Sequence, residues 1–141
     1  INNKILHQSK LLNYFEKNKE VKNINKELND LLKKLKRDKK YFFSMKDAIL
    51  VEALKSDGIK VSEKYKDLYK MNSSEIPEDI QIFIDNEEIG LAMLRIVQVI
   101  GQDDLKNIDP QTMYFIINTL NQLNIDPIRN QIILKVLPLK V

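Results

Sequence analysis

Residues 1 to 57 contain neither glycine nor proline, and the whole chain has three glycines and four prolines among 141 residues. Nothing in that stretch forces a helix to break. It reads as helix. Leu, Lys, Glu and Gln, all good helix formers, fill residues 2 to 17 and 21 to 40. In the second segment Val21, Ile24, Leu28, Leu31 and Leu35 are spaced 3, 4, 3, 4, the a/d seam of about two heptads. Stepping back by sevens reaches Tyr14 and His7, so a weaker stripe continues upstream. Two geometries are compatible with the segment: one long helix, or a helical hairpin broken near Asn18.

Local capping signals divide the remainder. Ser44-Met45-Lys46-Asp47 has capping-box spacing, with Asp in place of the usual Glu or Gln. Ile49, Leu50, Ala53 and Leu54 follow as a helical stripe ending at Asp57-Gly58, a C-cap. Ser62 caps a short amphipathic helix using Tyr65, Leu68 and Tyr69. Residues 72 to 76 form a turn, and Pro77 opens a helix carrying Ile80, Phe83 and Ile84.

The C-terminal third is the most informative. Apolar residues from Ile89 to Ile100 cover nearly the whole circumference of a helix, which predicts that other helices surround it. Asn107-Ile108-Asp109-Pro110 then recurs seventeen positions later as Asn124-Ile125-Asp126-Pro127. Each copy offers Asp as N-cap and Pro at the first helical position. Met113, Ile116, Ile117 and Leu120 form the stripe after the first copy. Ile128, Ile132, Val136 and Leu137 follow the second. A short linker makes the two helices antiparallel neighbours. The segment from Glu88 to Val141 resembles the C-terminal end of uncharacterised helical-repeat proteins of α-proteobacteria. It does so through its apolar helix, the DDLKNIDP turn, the MYFIINTLNQL helix and the terminal LPLKV. The resemblance implies stacked helical hairpins and carries no activity.

These signals predict an all-α fold of six to eight helices, a bundle or short α-solenoid-like stack of hairpins. Residues 1–41 are expected to form a basic amphipathic arm, and 42–141 a compact domain built around the 89 to 100 helix. Ile, Lys and Asn, at 19, 20 and 14 residues, suggest an AT-rich genome. The chain opens on Ile1 rather than Met, which suggests a piece of a longer precursor and leaves its compartment open. The apolar run from Ile89 to Ile100 contains Arg95 and is shorter than the roughly twenty residues of a membrane span, so a soluble chain is expected.

Composition excludes much chemistry. Without cysteine there are no disulfides, thiolate metal sites or Cys nucleophiles. Gly58, Gly90 and Gly101 are too dispersed for a phosphate-cradling loop. His7, the one imidazole, has no carboxylate at helical spacing and is expected to be structural. Asp103, Asp104 and Asp109 do not match an EF-hand pattern. Glu78, Asp79, Glu87 and Glu88 suit helix N-terminal turns better than acid–base pairing. A cleft gathering several of Asp79, Glu87, Asp103 and Arg95 would argue for an enzyme. Ser44, Ser73 and Ser74 lack the glycines of a nucleophile elbow. No catalytic residue, metal or cofactor is assigned.

Charge is polarised. Up to residue 70 there are 18 Lys and Arg against 10 Asp and Glu, and beyond it 5 against 10. The excess peaks at Lys33, Lys34, Lys36, Arg37, Lys39 and Lys40, and Tyr41-Phe42-Phe43 follow at once. The leading functional expectation is a non-catalytic interaction or scaffold module, part of a longer helical assembly. Its partner-binding residues would be the seam of Val21, Ile24, Leu28, Leu31 and Leu35. That seam is covered either by the chain's own residues 2 to 17 or by a second copy in a homodimer. The alternative is that residues 33–43 bind nucleic acid or an anionic membrane surface.

Overall fold

In the computed structural model the described residues are 4–16, 21–65, 68, 78–101 and 104–138. The Asn18 break, Tyr69, the 72 to 76 turn with Ser73 and Ser74, Pro77 and Asp103 lie outside them, as do the side chains of Val21 and Val99. The described elements are all helical and pack against one another. The α-helices are α1 (Val21–Arg37), α2 (Met45–Ser56), α3 (Glu78–Asp85), α4 (Ile89–Ile100), α5 (Pro110–Leu123) and α6 (Asp126–Val136). Short 3₁₀ turns occupy Leu6–Gln8, Lys10–Phe15, Glu63–Tyr65 and Leu105–Asn107.

The centre of the molecule is the packing of α2 on α5. In α2, Ile49, Leu50, Ala53 and Leu54 are buried, and so are Met113, Ile116, Ile117 and Leu120 of α5. Both helices begin where local chemistry dictates. Ser44 Oγ accepts from the Asp47 N–H and the Asp47 carboxylate accepts from the Ser44 N–H, a complete capping box. Asp109 accepts from the Thr112 N–H, with Pro110 at the first helical position. The end of α2 is also set locally. Ile59 N–H reaches back to the Leu54 carbonyl and Gly58 N–H to that of Lys55, while Gly58 adopts φ +92°. The second copy of the repeat departs from the first. Asn124 takes the left-handed position after α5, Ile125 becomes the N-cap of α6, and Asp126 turns toward Arg129.

Three expectations are corrected. Residues 6–15 form 3₁₀ turns rather than part of an α-helix over 2 to 17. Ser9 is the local cause: its hydroxyl donates to the Leu6 carbonyl and accepts from the Leu11 N–H, competing with an α-helical ladder. Second, the described part of residues 1–41 is not an arm separate from the 42–141 core. Leu6, Leu11, Leu12 and Phe15 enter the same core as α2, α5 and α6, and α1 packs on the 10–15 turns. Third, α4 is not the buried centre of the C-terminal half. Among its described side chains Ala92 and Ile96 are buried, whereas Ile89, Leu91, Leu94 and Val97 are exposed. It packs mainly on α3, so one side of a largely apolar helix is left exposed.

Candidate functional site

The heptad seam closes inside the chain. Ile24, Leu28, Leu31 and Leu35 are buried together with Leu32, and the 10–15 turns and the Glu63–Tyr65 turn both pack on α1. As a partner-binding surface the described part of the seam is therefore corrected: Ile24, Leu28, Leu31 and Leu35 already have the cover they need, at roughly 1.5–3 kcal/mol for each fully buried one, and the Val21 side chain lies outside the described residues. The chain's own N-terminal segment supplies that cover.

The basic run is fully on the surface: Lys33, Lys34, Lys36, Arg37, Lys39 and Lys40 are all exposed. Folding enlarges it. Asn25 and Asn29 of α1 clamp the chain after α2, for Asn25 Oδ1 accepts from the Lys60 N–H at 3.1 Å. Asn29 Oδ1 accepts from the Ser62 N–H at 3.0 Å, and its Nδ2 donates to the Lys60 carbonyl at 3.1 Å. Lys36 Nζ donates to the Lys64 carbonyl at 2.9 Å and stands 5.8 Å from the Tyr65 ring centroid. These bonds lay the backbone of exposed Lys60 along the middle of α1 and that of exposed Lys64 beside Lys36, a juxtaposition no sequence window contains. The aromatic triplet divides. Tyr41 turns inward and donates to Asp47 Oδ2 at 2.5 Å, Phe43 packs against the core, and Phe42 stands 82% exposed.

A second surface lies on α3 and α4. Ile82, Ile89, Leu91, Leu94 and Val97 are all exposed, Leu94 and Val97 at 55% and 58%. An open cavity of about 280 Å³ is lined by Asp79, Phe83, Leu91, Leu94, Arg95 and Gln98. Asp79 and Arg95, two of the four residues that would mark an enzymatic cleft, meet there at 2.9 Å. They satisfy each other, and neither faces a nucleophile in the cavity wall. Glu87 sits in the α3–α4 turn with φ +58°. Glu78, Asp79, Asp85, Glu87 and Glu88 are all exposed on this hairpin, which has Arg95 as its one cation.

Two buried polar networks went unseen in the sequence. His7 does have a carboxylate partner, 40 residues away: Asp47 Oδ1 lies 2.7 Å from His7 Nδ1 and also accepts the His7 N–H at 2.9 Å. Ser44 Oγ approaches the same ring nitrogen at 3.5 Å, and Nε2 is buried without a partner among the described residues. Serine and aspartate on one nitrogen cannot form a relay through the imidazole, so the cluster is an anchor for the N-terminus. The other network surrounds Arg129, whose guanidinium reaches Asp57, Asn121 and Asn130 and lies 5.8 Å from the Phe15 ring centroid. Tyr14 donates to Asp57 at 3.0 Å, and burial followed by that bond pushes its phenol up to about 12. Both networks join distant segments, and periodicity holds no trace of them. Among the described residues no group of acidic and imidazole side chains is arranged to hold a metal, and no helix is long and apolar enough to cross a membrane.

No protein-family model matches this chain, and no curated protein or solved structure matches it either.

Proposed function

We propose that this protein is a non-catalytic interaction module that docks a basic, amphipathic helix of another protein on the exposed side of α3 and α4. The observation that carries the reading is the unburied stripe of Leu91, Leu94 and Val97, with Ile82 and Ile89 also exposed on the same two helices. A contiguous apolar surface rimmed by charge is the usual mark of a docking face. Residues three apart along one helix suit helix-in-groove recognition. The occupant's charge follows from the exposed charges of the hairpin. Five acids against one arginine favour lysine and arginine flanking the partner's apolar side. The cavity beside Leu91 and Leu94 offers room for one large apolar anchor. The α5–α6 hairpin, which α3 contacts through α5, supports a place in a longer helical scaffold.

The test is a titration with a fluorescent synthetic helix of leucine and lysine in amphipathic order, and with the same peptide carrying glutamate for lysine. The lysine peptide is expected to bind and the glutamate peptide to fail. Leu94→Gln with Val97→Gln should weaken binding about tenfold or more while the circular dichroism stays unchanged. Equal binding by wild type and variant would remove this face from consideration.

A further inference from the structure

We infer that the edge formed by the C-terminal end of α1, the turn after it and the 60–64 loop binds an anionic lipid bilayer, with Phe42 as its apolar anchor. This goes beyond the docking reading and uses a different surface. A helix C-terminus attracts cations through its dipole, which accounts for Lys34, Lys36 and Arg37 in the last turn of α1. It does not account for Lys39 and Lys40 beyond the helix, or for Lys60 and Lys64 held beside it by the Asn25, Asn29 and Lys36 hydrogen bonds. The acids of these two segments, Asp30, Asp38 and Glu63, are outnumbered, and Asp38 is turned to the Lys40 N–H at 3.0 Å.

The apolar side of α1 is buried in the core, so the helix has no hydrophobic face of its own to lay into lipid. The anchor has to be Phe42. It is presented firmly, because Tyr41 on one side is fixed to Asp47 and Phe43 on the other packs inward. A cluster of lysines immediately beside one projecting aromatic is the arrangement that gains from both headgroup charge and the acyl boundary. Nucleic acid is disfavoured by the same residues. Arg37 is the one guanidinium available for bidentate base or phosphate contacts, and a lone phenylalanine makes no stacking platform for successive bases.

The chain contains no tryptophan, so Phe42→Trp gives a fluorophore at the anchor alone. With vesicles of phosphatidylcholine and phosphatidylserine, its emission should shift to the blue. With phosphatidylcholine alone it should not move. Co-sedimentation of the wild type with the anionic vesicles should fall steeply as salt rises. Lys39→Glu with Lys40→Glu should lower partitioning by more than about tenfold, since each cation near an anionic surface contributes several-fold. Phe42→Ala should lower it several-fold without changing the salt slope. Absence of sedimentation with anionic vesicles overturns the proposal, and so does sedimentation with no shift from Trp at 42. Binding of a single-stranded oligonucleotide without vesicle binding assigns the edge to nucleic acid and overturns it equally. The leucine–lysine peptide should bind the Lys39→Glu, Lys40→Glu variant at least as well as wild type, so failure here leaves the docking reading to its own experiment.

Discussion

Arg129 sets its two terminal nitrogens on the two carboxylate oxygens of Asp57, at 2.8 and 2.7 Å, although the residues are 72 positions apart. The arginine side chain is fully buried, and the aspartate ends α2, so this pair ties the last helix to the centre of the fold. A buried charge that loses its partner is costly, whereas replacing both members of the pair with apolar side chains need not be. Asp57→Ala should therefore destabilise the protein by about 3–5 kcal/mol in urea unfolding. Asp57→Leu combined with Arg129→Met, which removes both charges, should cost clearly less. If the two cost the same, packing rather than charge compensation governs the site.

Asp47 has a comparable role at the other end of α2. It closes the capping box and accepts from the His7 N–H, the His7 ring and the Tyr41 hydroxyl. Asp47→Ala removes all of these at once and should lower stability by about 2–4 kcal/mol, combining a lost cap with stranded buried donors. Tyr41→Phe removes one bond and should cost about 1 kcal/mol. Proteolysis or hydrogen exchange of residues 6–15 should rise in Asp47→Ala before that of α5.

The Tyr14 phenol gives the fold an alkaline limit. Its pKa is raised from 10.0 to about 12 by burial and by Asp57. The neutral phenol is the form the folded state favours. Its stabilising contribution is thus complete below about pH 10, where the unfolded chain's tyrosine ionises, and is lost as pH rises toward 12. Unfolding midpoints should decline across that window, and Tyr14→Phe should decline less. Phenolate absorbance should show one late-ionising tyrosine fewer in the variant.

Leu28 decides where the heptad seam belongs. It is fully buried in the chain's own core, so Leu28→Ala should cost about 2–5 kcal/mol through the cavity it leaves. Sedimentation should show the same mass for variant and wild type. A mass that falls on substitution would return the seam to a partner chain.

Glu87 occupies the left-handed region at φ +58°, where α3 ends with the Glu88 N–H on the Phe83 carbonyl at 2.7 Å. Glycine is the residue that suits such a helix end. Glu87→Gly should raise stability by up to about 1 kcal/mol, and Gly58→Ala, at φ +92°, should lower it by a similar amount.

What was legible in the sequence is what neighbours a few residues apart decide. The Ser44–Asp47 box, the Asp57-Gly58 stop and the Asp109-Pro110 start each depend on hydrogen bonds within one helical turn, and all three are in the structure. The all-helical class followed from helix-forming residues, capping signals and helical periodicity, again local quantities. Periodicity also marked the buried stripes of α2 and α5, because a stripe on a central helix has no other place to go.

Tertiary structure decided which apolar faces were covered and which polar groups met. A seam and an exposed stripe look alike as spacing. The seam of α1 found residues 6–15 and was buried, whereas α4, more apolar still, packed mainly on α3 and kept Leu94 and Val97 in water. The pairs His7–Asp47 and Arg129–Asp57 span 40 and 72 residues, so no window of the sequence contains them. The backbone of Lys60 and Lys64 is laid along α1 by asparagine side chains of that helix and by the Lys36 ammonium. Hydrophobic burial is non-directional and rewards any cover. The choice among covers is made by the packing of the whole chain, and both candidate surfaces of this protein are what that choice left exposed.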